Sequence, residues 1–278
     1  MPMIAVNSTH LNYILDGKPG APLVVLSNSL STDLRMWQPQ AALLAAQYQV
    51  LRYDTRGHGA SPATPAPYSV AMLADDLAGL LDGLGFASAH IVGLSLGGMT
   101  AQMLAVRRPD LVASAALVAT TCAPPFGTAA AWAKRADDVR VAGDFSDVEG
   151  PMLERWVTRR FRRANPAGLA LIREMILATK LEGYIGCCHA IGGLDVCGQL
   201  ANFPRPIAIV AGEEDPGTTV EDAERILAGI PHASLTVMPG ARHLLNWDAE
   251  AAFTPWLMAW LADVNQSTSS QRAHAPLA

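Results

Sequence analysis

The chain has 278 residues, half of them hydrophobic, and a formal net charge of −5. That length and apolar content suffice for the core of one large α/β domain or two small ones and argue against a wholly disordered protein. The acidic balance supplies no basic footprint for phosphates, which excludes nucleic acid as an expected partner.

Met1-Pro2-Met3-Ile4 carries no basic segment followed by an apolar run, so no signal peptide is expected and a cytoplasmic location is the default. Two uncharged runs, 83–106 and 111–133, are long enough to imitate membrane spans. Gly83, Gly85, Gly93, Gly97 and Gly98 interrupt the first, and Thr120, Thr121, Pro124, Pro125 and Gly127 the second. Both therefore read as buried strand and helix broken by turns, and no membrane partner is expected. Cys122, Cys187, Cys188 and Cys197 lack paired Cys-x-x-Cys spacing and are expected to be free thiols.

Residues 4–16 alternate apolar and polar around Asn7-Ser8-Thr9, which predicts an antiparallel hairpin at a sheet edge. Leu23-Val24-Val25-Leu26 is a continuous apolar run, the mark of a strand covered on both faces. Residues 36–47 have helical apolar spacing, and a short strand over 50–53 ends in Asp54-Thr55-Arg56-Gly57-His58-Gly59. Ser69 caps a helix to about residue 84, with Leu73, Leu77, Leu80, Leu81 and Leu84 on one side. A strand beginning at His90 then runs into Gly93-Leu94-Ser95-Leu96-Gly97 and out into a helix that closes at Arg107-Arg108-Pro109. Residues 111–118 form another buried strand. This alternation means right-handed crossovers and a parallel sheet, whose ligands bind at the carboxyl ends of the strands, where Asn28, Asp54 and Ser95 fall.

From 122 to 200 the strand-helix rhythm stops, and helical patterns occupy 129–141, 152–161, 167–180 and 184–191. It resumes as strand 207–210, helix 220–228, strand 235–237 and helix 249–262. The division expected is a core of 1–121 and 201–264 with a helical cap of 122–200. Residues 265–278 lack periodicity and are expected to be a disordered tail.

Gly-x-Ser-x-Gly between a buried strand and a helix is the pattern of a nucleophile elbow, and it marks Ser95 as a nucleophile. A serine hydroxyl needs a base, normally a histidine held by a carboxylate, in the chain order Ser, acid, His. Beyond the resumed sheet lie His232, in a polar turn before a strand, His243, after the last strand, and His274, in the tail. His243 is the candidate base. Glu213, Glu214 and Asp215 compete for the acid, and Asp215 is favoured because its place before Pro216 fits a sharp turn aimed back at the site. Oxyanion donors are expected from the backbone amides of Leu96 and Leu30, each worth on the order of 3 kcal/mol of transition-state stabilisation. The Asp54 to Gly59 stretch reads as a structural turn in which Asp54 and Arg56 form hydrogen bonds, rather than as a catalytic pair or metal site. No phosphate-binding glycine motif follows the first strand, and no cofactor or metal is expected.

These residues resemble the α/β-hydrolase superfamily and, more narrowly, the 3-oxoadipate enol-lactonases. The likeness rests on Leu26-Ser27-Asn28-Ser29-Leu30 through Trp37, on Arg52-Tyr53-Asp54-Thr55-Arg56-Gly57-His58-Gly59, on the elbow, and on Glu182-Gly183-Tyr184 with Cys188 and Asp195. It covers roughly residues 3–262. Departures are Ser31, where the family leads one to expect Gly, Leu96 for Met and His189 for Glu. The resemblance implies an α/β-hydrolase fold and a serine hydrolase of aromatic compound catabolism. It would open a small enol-lactone bearing a carboxylate to 3-oxoadipate through Ser95, His243 and Asp215. A free carboxylate calls for a cation, and Arg135, one helical turn after Trp132, is the candidate. Asn28 and Ser29 are further candidates for substrate contact, and Trp37 either lines the pocket or packs its helix. A broader carboxylesterase, lactonase, perhydrolase or carbon-carbon bond hydrolase uses the same triad, and a ligand receptor on a hydrolase scaffold is the third reading.

Overall fold

The computed structural model describes residues 2–125 and 128–273. Gly127 and the end of the expected tail, 274–278 with His274, lie outside the described residues. The strands are β1 (Met3–Val6), β2 (Thr9–Asp16), β3 (Leu23–Ser27), β4 (Gln49–Tyr53), β5 (Ala89–Leu94), β6 (Val112–Val118), β7 (Ile207–Gly212) and β8 (Ser234–Met238). They form one sheet in the order β1-β2-β4-β3-β5-β6-β7-β8. The β1–β2 hairpin turns through Asn7 and Ser8 at positive φ of 35° and 64°, as a tight two-residue turn requires. β2 is antiparallel to β4, and every later pair is parallel. β3 and β5 are buried along their whole length, as their apolar runs Leu23–Leu26 and Ile91–Leu94 favour.

The helices are α1 (Gln38–Leu44), α2 (Val70–Gly83), α3 (Leu96–Arg107), α4 (Ala129–Ala142), α5 (Ser146–Trp156), α6 (Arg159–Ala164), α7 (Pro166–Ala178), α8 (Leu181–Gly192), α9 (Val220–Ala228), α10 (Leu245–Asp248) and α11 (Glu250–Ala273). Ser69 caps α2 by accepting from Met72 N at 3.1 Å. Helices α4 to α8 lie between β6 and β7 and form an insertion docked on the turn after β4. There Gly57 and Gly183 touch so closely that a Cβ on either would strike the other's backbone. Lys180 strengthens the contact, its Nζ donating to Gly59 O at 2.7 Å.

Three expectations are corrected. Cys122 and Cys197 are not free thiols: they form a disulfide, because the chain entering the insertion runs beside the chain leaving it, with Val196 N donating to Cys122 O at 3.0 Å. Cys187 and Cys188 are free and buried. The pattern over 152–161 is two helices, since Val157 is extended and Thr158 starts α6 as its N-cap. The helix expected over 36–47 is a 3-10 turn at Leu34–Trp37 followed by α1, which opens with Pro39 in its first turn. α11 continues into the segment expected as a tail as far as Ala273, and 266–273 holds no glycine or proline to stop it. Among the described residues no helix is long and apolar enough to cross a membrane.

Candidate active site

Ser95 stands between β5 and α3 with φ 57° and ψ −115°, a strained conformation held from both sides. Its amide donates to Val118 O at 2.9 Å, and its carbonyl accepts from Thr120 Oγ1 at 2.8 Å and Met99 N at 3.0 Å. The flanking glycines are required by close approach, since a Cβ on Gly93 would strike Gly97 O and one on Gly97 would strike Ser27 O. The turn therefore presents the serine at the carboxyl end of the central strand.

Asp215 follows β7 and His243 follows β8, which brings the two together across adjacent strand ends. Their atoms Oδ2 and Nδ1 lie 2.7 Å apart, and both residues are buried. Thr218 Oγ1 donates to Asp215 Oδ2 at 2.7 Å and lies 3.2 Å from His243 Nδ1. Gly217 N donates to Asp215 Oδ1 at 2.8 Å. Burial alone would raise the Asp215 carboxyl, but His243 and these donors outweigh it and hold it below its ordinary value. An ionised carboxylate thus fixes one imidazole nitrogen and leaves the other for the cavity. Glu213 instead accepts from Gly240 N, and Glu214 lies beside Arg242, both exposed.

Ser95, Asp215 and His243 line one cavity, together with Ser29 and Leu30 from the loop after β3. The insertion supplies Trp132, Arg135, Arg155, Trp156 and Ile191. Arg135 Nε donates to Tyr184 Oη at 2.5 Å, and its guanidinium lies 5.1 Å from the Trp132 ring centroid and 5.6 Å from that of Tyr184. Burial pushes the Tyr184 hydroxyl up, so it stays a neutral acceptor. Burial, and then the charge of Arg135, push Arg155 below the usual guanidinium value. Neither arginine has a carboxylate partner among the described residues.

Asn28 and Trp37 stand behind the cavity rather than in its wall. Asn28 Nδ2 donates to Tyr53 O at 2.6 Å, while Trp37 is fully buried, gives its Nε1–H to Ser27 O at 3.2 Å and packs 6.3 Å from the Phe253 ring. Asp54 is a turn-former: it accepts from Leu34 N, Ala60 N and Asn12 Nδ2 at 2.7–2.8 Å. Arg56 pairs with buried Asp76 at 2.7 Å. His189 is half-buried on α8 and outside the cavity wall.

Residues 22–139 match the family described as the alpha/beta hydrolase fold. The chain is 37% identical over 243 residues to 3-oxoadipate enol-lactonase 2 of Acinetobacter baylyi, a match covering 87% of this chain and 90% of that relative. The chain belongs to the α/β-hydrolase family. It is a hydrolase enzyme. The crystal structure of the enol-lactonase from Burkholderia xenovorans LB400 is similar with a TM-score of 0.89 and 37% identity, covering 94% of this chain and all of that one (100%). A thermophilic esterase from Thermogutta terrifontis, solved with malate bound, has a TM-score of 0.86 at 26% identity and covers 95% of this chain and 98% of its own.

Of the residues singled out in the sequence, Ser95, Asp215, His243, Ser29, Leu30, Trp132 and Arg135 line this cavity, beside Thr218, Arg155 and Trp156, which the sequence did not single out. Thr218 could have been found three residues after Asp215, where a hydroxyl can turn back on the carboxylate. Arg155 carries no local signal, because it is the lone basic residue at the end of α5 and only tertiary packing turns it to the cavity.

Proposed function

We propose that this hydrolase opens a small enol-lactone bearing a free carboxylate, with 3-oxoadipate as the product, by way of an acyl-enzyme on Ser95. The observation that carries this reading is the pair of half-buried arginines without carboxylate partners, Arg135 and Arg155, in the same cavity as Ser95 and His243. Two such cations side by side repel each other and have lost part of their hydration, a cost that an anionic ligand relieves. Arg135, held by Tyr184 and Trp132, is the ordered half of the subsite and takes the carboxylate. The identity with enol-lactonases across most of the chain supports the same substrate class.

In this account Ser95 Oγ attacks the lactone carbonyl while His243 Nε2 takes its proton. The backbone amides of Leu96 and Leu30 receive the developing oxyanion. Asp215 holds Nδ1 and stabilises the imidazolium. Ring opening, in which the His243 imidazolium returns its proton to the leaving oxygen, releases an enol that remains tethered to the acyl group and collapses to the ketone, which makes the step one-way. Water activated by His243 then frees the acid and restores Ser95.

A broader esterase is the second reading, favoured by the likeness to the Thermogutta esterase; the malate held by that protein is itself a small dicarboxylate. Steady-state kinetics on the enol-lactone and on p-nitrophenyl acetate separate the two. The proposal expects kcat/KM to favour the acidic lactone and Ser95→Ala to abolish both activities. Turnover of the neutral ester alone supports the broader esterase, and hydrolysis of neither removes both readings. Arg135→Ala should raise KM for the lactone more than for the ester.

A further inference from the structure

The histidine loop and the helical insertion are joined at one carboxylate. Asp248 ends α10, is buried, and accepts at Oδ1 from Thr158 N at 3.0 Å and Thr158 Oγ1 at 2.6 Å. Its Oδ2 accepts from Arg242 N at 2.9 Å, one residue before His243. Two further links run alongside. Leu244 N donates to Trp156 O at 2.9 Å, and the Arg242 guanidinium donates to Glu154 O. Ala241 is tied to the core, its carbonyl accepting from Glu214 N at 2.9 Å. The backbone on either side of His243 is therefore held by the insertion. Between these links the Trp156 indole lies against the His243 imidazole, with ring centroids 6.3 Å apart and planes 25° from parallel.

The chemistry at this point demands an acid. Donors converge on both oxygens, and an ionised carboxylate offers only acceptors. An asparagine would turn an N–H toward either Arg242 N or Thr158, leaving a buried donor facing a donor.

We propose that Asp248 is a positioning residue for His243: it makes the insertion and the histidine loop one unit, so that the imidazole sits correctly only when the segment 154–158 is seated beside it. This rests on reading His243 as the base. Damage at the seam should therefore appear in kcat rather than in KM, because a misplacement of about 1 Å at a reacting group costs on the order of a hundredfold.

The test uses the full chain and p-nitrophenyl acetate, a small neutral ester, with folding of each variant checked by thermal melting. Asp248→Asn should lose on the order of a hundredfold in kcat/KM, carried by kcat. Thr158→Val, which removes one donor and keeps the Arg242 contact, should lose about tenfold in kcat, and Thr158→Ser, which restores the hydroxyl, should recover most of it. Thr158→Val decides the matter if Asp248→Asn does not fold. Wild-type kcat in folded Thr158→Val, a loss confined to KM, or an equal loss in Thr158→Ser overturns the role of Asp248. Full activity in His243→Ala overturns the base assignment instead, and this role with it.

Discussion

The Thr218 hydroxyl bridges Asp215 and His243: it donates to Asp215 Oδ2 at 2.7 Å and lies 3.2 Å from His243 Nδ1. Its removal leaves Asp215 with the amide donors of Gly217 and Thr218 and with His243. Hydrogen bonds to charged groups contribute about 1.5–3 kcal/mol, so Thr218→Val should lower kcat by about tenfold or more while KM changes little. Steady-state kinetics on a small ester check this, and an unchanged kcat would show that the hydroxyl does not help hold the pair.

Ser31 adopts φ 57°, and its hydroxyl is buried with no hydrogen-bond partner among the described residues. The enol-lactonase resemblance leads one to expect glycine there, and the backbone now supplies the reason, since glycine enters this region without the penalty of a side chain. Ser31→Gly should stabilise the fold by about 1 kcal/mol, read as a higher melting temperature. A lower melting temperature would contradict the strain argument.

The Cys122–Cys197 bridge joins the two ends of the insertion across a sequence separation of 75. Closing a loop of that size constrains the unfolded chain by about 4 kcal/mol in the chain-entropy account. Dithiothreitol, or Cys122→Ser with Cys197→Ser, should lower the melting temperature by several degrees. Melts that coincide with and without reductant, with the bridge shown to be open, would remove this contribution.

His58 is fully buried, and that burial pushes it down to about 4 from an ordinary 6.5. Protons therefore bind the unfolded chain first as pH falls. The contribution is complete above about pH 6.5 and is lost between there and pH 4, on the order of 3 kcal/mol. Denaturant midpoints across this window should fall with pH in the wild type and fall less in His58→Asn. Parallel slopes would refute a neutral buried His58.

Local signals made the elbow and its partners legible. Ser95 follows a buried strand and precedes a helix, and Asp215 and His243 follow β7 and β8, so strand ends alone bring them together. Residues that depend on how the insertion folds back were not legible. Arg155 and Trp156 end α5, and only the break at Val157 and Thr158 turns them to the cavity, a break hidden because a threonine within an apolar pattern reads equally as helix interior or N-cap. The disulfide was invisible for the same reason, since its cysteines meet only when the insertion closes. Trp37, which the sequence left open between lining the pocket and packing its helix, is settled by burial: its Nε1–H turns inward to Ser27 O.

Whether Ser95 carries the acyl group is decided by mass spectrometry of enzyme quenched during turnover of p-nitrophenyl acetate. One acetyl group is expected on the peptide containing Ser95, absent in Ser95→Ala. An unmodified Ser95 peptide together with full activity in Ser95→Ala would contradict it.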